Sequence, residues 1–292
     1  MNTPPEKRPH PLERRPTPPP VTPGQAPRQQ VMLHLRTVTP NVTYAILAVN
    51  IGIFILRALS PRLDSDLLAW GANGPREVLQ QGQYYRLLTS MFLHASIYDV
   101  FGRLALTNSL HLIFNAYVIY GVGTYIERLF GHARFALIYF LGGLAGSIAS
   151  VFLNAATGNL DTYSVGASGA AFAVIGAEFI YLYYHRKLMG AYARARMQSL
   201  IFFAVINFMF GFASSFGLSA MRVDNWAHLG GLAGGMILAW FISPIFILKR
   251  DPERLGDMLG EDINPLKRRY SAVSFFVTGL IVLLIVGVYI AR

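Results

Sequence analysis

Gly166-Ala167-Ser168-Gly169-Ala170-Ala171-Phe172 is the stretch on which the reading of this chain turns. It opens an apolar segment, 167–184, long enough to cross a bilayer, and every neighbour of Ser168 is small. Small residues let helices approach closely in lipid. The same arrangement also sets a serine at a helix N-terminus, where unpaired backbone N–H groups and the helix dipole favour developing negative charge. Packing and chemistry are both open on this stretch alone. What decides between them is whether other spans bring a base and oxyanion donors to the same membrane depth.

Composition sets the environment. The 292 residues are 53% hydrophobic and 14% charged, whereas soluble domains run about 25% charged. Mean hydropathy is +0.41, and several stretches of 18 or more mostly apolar residues read as membrane-spanning helices. The net charge of +10 does not point to nucleic acid, because the basic residues sit in tails and short loops between apolar spans. With no cysteine in the chain, a disulfide framework, a Cys-ligated metal and a thiol nucleophile are all excluded. No cofactor and no metal are expected. The N-terminus has no signal-peptide core, so the first span is expected to direct insertion.

Residues 1–40 hold eleven of the sixteen prolines and read as a disordered cytoplasmic tail, with His10 and His34 inert. Spans are expected at about 42–59, 110–126, 135–154, 167–184, 198–216 and 226–248, with a seventh at 273–290. Residues 60–108 are too polar to cross and too apolar to be a free linker, which suits an element lying in the interface. The organisation expected is a core over 41–248 containing the interfacial loop 60–108, a basic cytoplasmic linker over 249–270, and an additional helix over 271–292.

Loop charges supply the orientation. Arg128 and Arg134 follow the second span, Arg186, Lys187, Arg194 and Arg196 follow the fourth, and Lys249, Arg250, Arg254, Lys267, Arg268 and Arg269 follow the sixth. Residues 155–165 carry no positive charge and 217–225 carry only Arg222. This alternation predicts a multi-pass protein of the plasma or inner membrane, with its N-terminus in the cytoplasm and its C-terminus outside.

Polar groups inside spans are costly and mark function. Ser168, His228, His111 and Asn115 all fall within the first one or two turns of spans that descend from the outer face, at ~1.5 Å per residue. His111 and Asn115, four apart, share one helix face. His228 is followed by Gly230, Gly231, Gly234 and Gly235, a flat face that a neighbouring helix can approach to backbone contact. Gly169, Ala170 and Ala171 supply the matching small side chains. Asp224, one turn before His228, reads better as a helix cap than as a third catalytic member. Glu178 lies ~15 Å deeper than Ser168 and is expected to pair within the bundle or with cytosolic water. Phe172, one turn below Ser168, is placed to stack on the His228 ring or simply to fill the core.

The set Gly166-Ala167-Ser168-Gly169, His228 with Gly231 and Gly235, and His111-x-x-x-Asn115 resembles the rhomboid intramembrane serine proteases. Gly123-x-x-x-Glu127-Arg128-x-x-Gly131 is also similar to that family. The resemblance implies an all-α membrane protein: a six-helix transmembrane bundle with a cavity open to the outside, plus a seventh helix. It implies a serine endopeptidase that cleaves single-span transmembrane proteins near the outer face, with the lipid bilayer and those substrates as partners and no nucleic acid. Ser168 would be the nucleophile and His228 the general base and acid. The Ser168 N–H, His111 and Asn115 would hold the oxyanion, with Phe172, Gly166, Gly169, Gly231 and Gly235 in support. A catalytically inactive client-binding relative is the alternative function. Tyr85-Arg86 stands where the family often has Trp-Arg, and the 94–111 loop is longer than usual there. Asp99 to Ser109 reads as an insertion, and His94 as a structural histidine of that loop. His132 and His185 read as interfacial.

Overall fold

A computed structural model describes residues 33–99, 101–105, 109–216, 223–252 and 257–290. The structure is predominantly helical, as expected. A strand β1 (Leu33–Leu35) leads into α1 (Asn41–Arg57), and the interfacial loop holds α2 (Pro61–Gly71), a π-helical turn (Arg76–Gln80), α3 (Arg86–Thr89) and a 3-10 turn (Ser90–Phe92). The second span is one continuous rod made of α4 (Leu110–Val118), a π segment (Ile119–Gly123) and α5 (Thr124–Phe130). Then come α6 (His132–Ala156), α7 (Ser168–Tyr184), the short α8 (Arg186–Met189), α9 (Ala191–Ser215), α10 (Asn225–Ile242), β2 (Phe246–Arg250), β3 (Met258–Asp262) and α11 (Tyr270–Ile290). Among the described residues α6, α9 and α11 are long and apolar enough to cross a membrane by themselves, and α1 and α7 are shorter apolar helices.

The core is a three-helix knot of α6, α7 and α10 held by backbone contact. A methyl group added to Gly231 would collide with the Gly169 carbonyl oxygen, and one on Gly235 with the Ala173 carbonyl oxygen. On α6, a methyl on Gly146 would lie 2.6 Å from the Ala227 carbonyl oxygen, and one on Gly142 would strike the Ala173 side chain. The apolar environment offers no hydrophobic drive between helices, so this close approach and its dispersion contacts are what bind them.

Capping fixes where the rods start. The Glu127 carboxylate, at the end of the second span, accepts from the Val42 and Thr43 N–H groups at 2.9 and 2.7 Å. It thereby satisfies orphan donors at the start of α1 from a different helix. Asp224 is the N-cap of α10 and accepts from the Ala227 N–H at 3.0 Å, as its position suggested. Glu178 is fully buried and takes a two-pronged bond from Arg196, at 2.6 and 3.0 Å, across α7 and α9.

Three expectations are corrected. The sixth helix ends at Ile242 rather than near 248, because Ser243-Pro244 breaks it and Phe246–Arg250 becomes a strand. The linker over 249–270 carries the rest of a three-stranded sheet of order β1-β3-β2, in which β1 pairs parallel and β2 antiparallel with β3. The tail expected to be disordered to residue 40 contributes β1, and His34, expected to be inert, pairs with Asp257 at 3.0 Å. Residues 1–32, with His10, lie outside the described residues.

Candidate functional site

Ser168 is the first residue of α7, so its own N–H belongs to the turn that has no intrahelical acceptors. The chain reaches it through Gly166, whose φ of +127° suits only glycine. A side chain at Gly166 would also meet His111, with Cε1 at 2.8 Å and Nε2 at 2.9 Å, and Asn115 Nδ2 at 3.8 Å. Gly166 therefore serves two ends: it turns the backbone into α7 and lets the α4 polar face come against it. The Gly166 N–H is tied to the Ser90 carbonyl at 2.9 Å, which fixes the entry from the interfacial loop.

His228 stands on the first turn of α10, because Asp224 caps the helix four residues earlier. Its ring stacks on Phe172, one turn below Ser168, with centroids 4.3 Å apart and planes within 16°. Phe208 of α9 closes the edge at 6.4 Å. His228 is buried and its Nδ1 has no hydrogen-bond partner among the described residues. Asp224 is occupied elsewhere: it accepts from Ala227 N–H with one oxygen and from the Ser150 hydroxyl with the other. No carboxylate among the described residues is hydrogen-bonded to the imidazole. Among the described residues, Ser168 and His228 are not hydrogen-bonded to each other.

His111 and Asn115 lie on α4, one turn apart. Asn115 is buried and gives one amide proton to the His111 carbonyl at 2.7 Å, leaving its second N–H free of that bond. The His111 Nδ1 accepts from the Ala95 N–H at 3.3 Å. That acceptance puts the ring proton on Nε2, the nitrogen lying beside Gly166. Gly166 thus sits against His111 and Asn115, and Phe172, one turn after Ser168, sits against His228. Ser168, Gly169 and Phe172 come from α7, His228, Gly231 and Gly235 from α10, His111 and Asn115 from α4, and Gly166 from the preceding loop.

Sequence reasoning missed two layers around these groups. One is the pair of phenylalanines on α9, Phe203 and Phe208, which hold the Phe172 ring at 6.0 and 5.7 Å. The other is a buried ion pair between Arg57 and Asp64, 2.7 Å apart, under the loop that carries His94 and Ala95. Nothing in the sequence set Arg57 apart, because the loop that follows carries Arg62, Arg76, Arg86 and Arg103 as well. His94 packs edge-on to His111, with centroids 5.3 Å apart. At the start of the expected insertion, residues 97–99 pair with 103–105, with Tyr98 bridged to Leu104, and residues 100 and 106–108 lie outside the described residues. Arg86 of the Tyr85-Arg86 pair is buried and bonds the Ala72 and Ala69 carbonyls at 2.8 and 2.6 Å, so it ties α3 to α2.

The family model of the rhomboid domain matches residues 81–245, which run from the interfacial loop to the end of the α10 region. The chain belongs to the rhomboid family. It is a multi-pass membrane protein. It is 35% identical over 202 residues to the Rhomboid protease GluP of Bacillus subtilis (strain 168), covering 68% of this chain and 34% of that protein. It is 35% identical over 230 residues to RHOMBOID-like protein 2 of Arabidopsis thaliana, covering 78% of this chain and 62% of that one. Against the Rhomboid-like protease 1 of Toxoplasma gondii it is 29% identical over 225 residues, with 73% and 69% covered. The chain thus spans a third of the first relative's length and less than two thirds of the second's.

Proposed function

We propose that this rhomboid-family protein is an intramembrane serine endopeptidase, in which Ser168 is the nucleophile and His228 the general base and acid. The observation that carries the reading is the α7–α10 seam. Gly169 and Gly231 meet backbone to backbone, and one turn along, His228 lies flat on Phe172, which puts an imidazole beside the first turn of the helix that begins with Ser168. In the reaction, His228 takes the Ser168 proton as Oγ attacks a substrate carbonyl. The Ser168 N–H, His111 Nε2–H and Asn115 Nδ2–H receive the oxyanion. His228 then protonates the leaving amine, and water hydrolyses the acyl-enzyme. The serine–imidazole hydrogen bond forms as substrate enters; such bonds are commonly long before that and tighten in the complex.

The substrates are single-span proteins whose helix is unwound near the outer face, since a helical carbonyl already hydrogen-bonded cannot be presented to a nucleophile. The N-terminus lies in the cytoplasm and the site faces outward. Two observations support that orientation. Basic residues gather in the loops on the side of the sheet, and β1, before the first span, pairs with β3, after the sixth. Both ends of the six-span core therefore sit on one side.

A serine-directed fluorophosphonate tests the proposal in the full-length protein. Wild type is expected to be labelled, and Ser168→Ala and His228→Ala to be unlabelled and unable to cut a single-span reporter. Equal labelling of His228→Ala and wild type would overturn the dyad, and an unlabelled, inactive wild type would leave a client-binding role in its place.

A further inference from the structure

We infer that the Arg57–Asp64 ion pair is a positioning device for the oxyanion side of the site, acting through residues 94–98 on the His111 ring; this rests on the proposed function. The pair is sealed, its side chains 1% and 4% exposed, and 2.7 Å apart. Each member makes a second bond, and both second bonds go to the same short segment. Arg57 Nη1 donates to the His94 carbonyl at 2.7 Å. Asp64 Oδ2 accepts from the Ser96 hydroxyl at 2.6 Å. Two residues on, the Tyr98 hydroxyl donates to the Ala58 carbonyl at 2.6 Å, at the end of α1.

Ala95 is thus bracketed on both sides. Its N–H is the donor that His111 Nδ1 accepts at 3.3 Å. A neutral imidazole whose Nδ1 accepts must carry its proton on Nε2. Nε2 is the nitrogen beside Gly166, two residues before Ser168, so this tautomer is the one that can donate to an oxyanion. If the 94–98 segment moved by an ångström, the acceptance would be lost and the ring would be free to flip or change tautomer. The location of the pair supports the reading. Two charges withdrawn from water stabilise a fold little better than well-packed apolar residues do. A pair retained there with every second bond aimed at one segment is explained by what that segment holds.

The experiment is a double-mutant cycle with an independent structural readout. Asp64→Asn and the paired apolar replacement Arg57→Met/Asp64→Leu are each made alone and with His111→Ala. The paired variant is included because removing one charge leaves its partner buried and can unfold the protein. With a transmembrane reporter, either change is expected to lower kcat roughly ten-fold with KM nearly constant, less than the roughly 10²–10³ expected for deleting a donor. In the His111→Ala background the same change is expected to add almost nothing. With an active wild type, an equal fall in both backgrounds, or none in either, would overturn the inference.

The ¹⁵N spectrum of labelled histidine, with the His111 signal assigned by its loss in His111→Ala, reads the tautomer without turnover. Wild type is expected to show the Nε2–H form and the Asp64 variants a mixture; an unchanged tautomer in both variants overturns the inference even if the protease reading stands. Conversely, a wild type as inactive as Ser168→Ala but with the expected tautomer shift would sink the protease reading alone.

Discussion

The two ends of the bundle treat polar groups differently. At the sheet end, three buried polar side chains have several partners each. Glu127 takes four bonds, from the Val42 N–H, the Thr43 N–H and hydroxyl, and His132. Glu178 takes the Arg196 fork. Asn264 bonds the Phe241 and Ser243 carbonyls and Arg269. At the end that carries Ser168, the buried His228 Nδ1 has no partner among the described residues, and Ser168 is half-buried with no bond to the imidazole. A filled valence costs stability when removed, and a spare one costs activity. The contrast therefore sorts residues into those whose loss unfolds the protein and those whose loss only silences it.

The sharpest break of that contrast is Ser168→Ala. Turnover of a single-span reporter is expected to fall to background, a loss on the order of 10⁴ or more. The unfolding free energy in detergent is expected to stay within about 0.5 kcal/mol, because no hydrogen bond is removed. A large loss of stability here would erase the distinction between the two ends. The converse variant is Arg196→Met, which leaves the Glu178 carboxylate, 0% exposed, without its partner. Stripping one member from a buried pair costs about 3–5 kcal/mol, and the lower end is expected because the Arg196 side chain is 36% exposed. Residual folded protein should retain its labelling by fluorophosphonate, since Arg196 touches nothing at the site.

Between these lies the seam that joins the two proposed catalytic helices. Gly231→Ala drives a methyl group into the Gly169 carbonyl. Overpacking of this kind costs typically about 1–3 kcal/mol, partly offset by alanine's better helix propensity of about 1 kcal/mol. Activity should fall by more than the stability does, because separating α7 from α10 moves His228 off Ser168. Gly279→Ala on α11 is the control. Nothing lies within 4 Å of the added carbon, and the substitution is expected to be neutral or slightly stabilising. If Gly231→Ala behaves like Gly279→Ala in both assays, backbone contact is not what sets the site.

How much of this could be read from the chain depends on the kind of signal. The spans announced themselves by hydropathy, and α1, α6, α7 and α11 begin within about three residues of the expected positions. The proposed site residues stood out because each is a polar group in an apolar span, and small residues flank Ser168. The interhelical seam could be read because Gly231 and Gly235 repeat at helical spacing. The sheet could not. β1 is three residues long and its partner β3 lies more than two hundred residues away, so no local pattern carries it. Nor could the π segment Ile119–Gly123, since one extra residue in a turn leaves hydropathy unchanged. The Arg57–Asp64 strut was hidden for a third reason. Charges near an interface read as solvated until the fold shows what they cover.

The smallest expected effect concerns His185, at the sheet end, where a filled valence can be emptied by pH. Its Nδ1–H donates to the Tyr181 carbonyl at 2.8 Å and its Nε2 accepts from the Phe246 N–H at 3.0 Å, so the neutral ring ties the end of α7 to β2. Burial pushes its pKa below the ordinary value of 6.5, with the Tyr181 bond and the nearby Asp262 charge opposing that shift. A depressed imidazole binds fewer protons folded than unfolded, so stability is full above about pH 6.5 and declines as the pH falls below it, levelling off once the folded ring also protonates. His185→Gln keeps a donor and an acceptor but cannot take a proton, and its unfolding temperature is expected to vary less than that of wild type over that range. Greater stability of the wild type on acidification, relative to the Gln variant, would mean that the ring is charged in the fold. The sheet end would then hold a charge its geometry has no acceptor for.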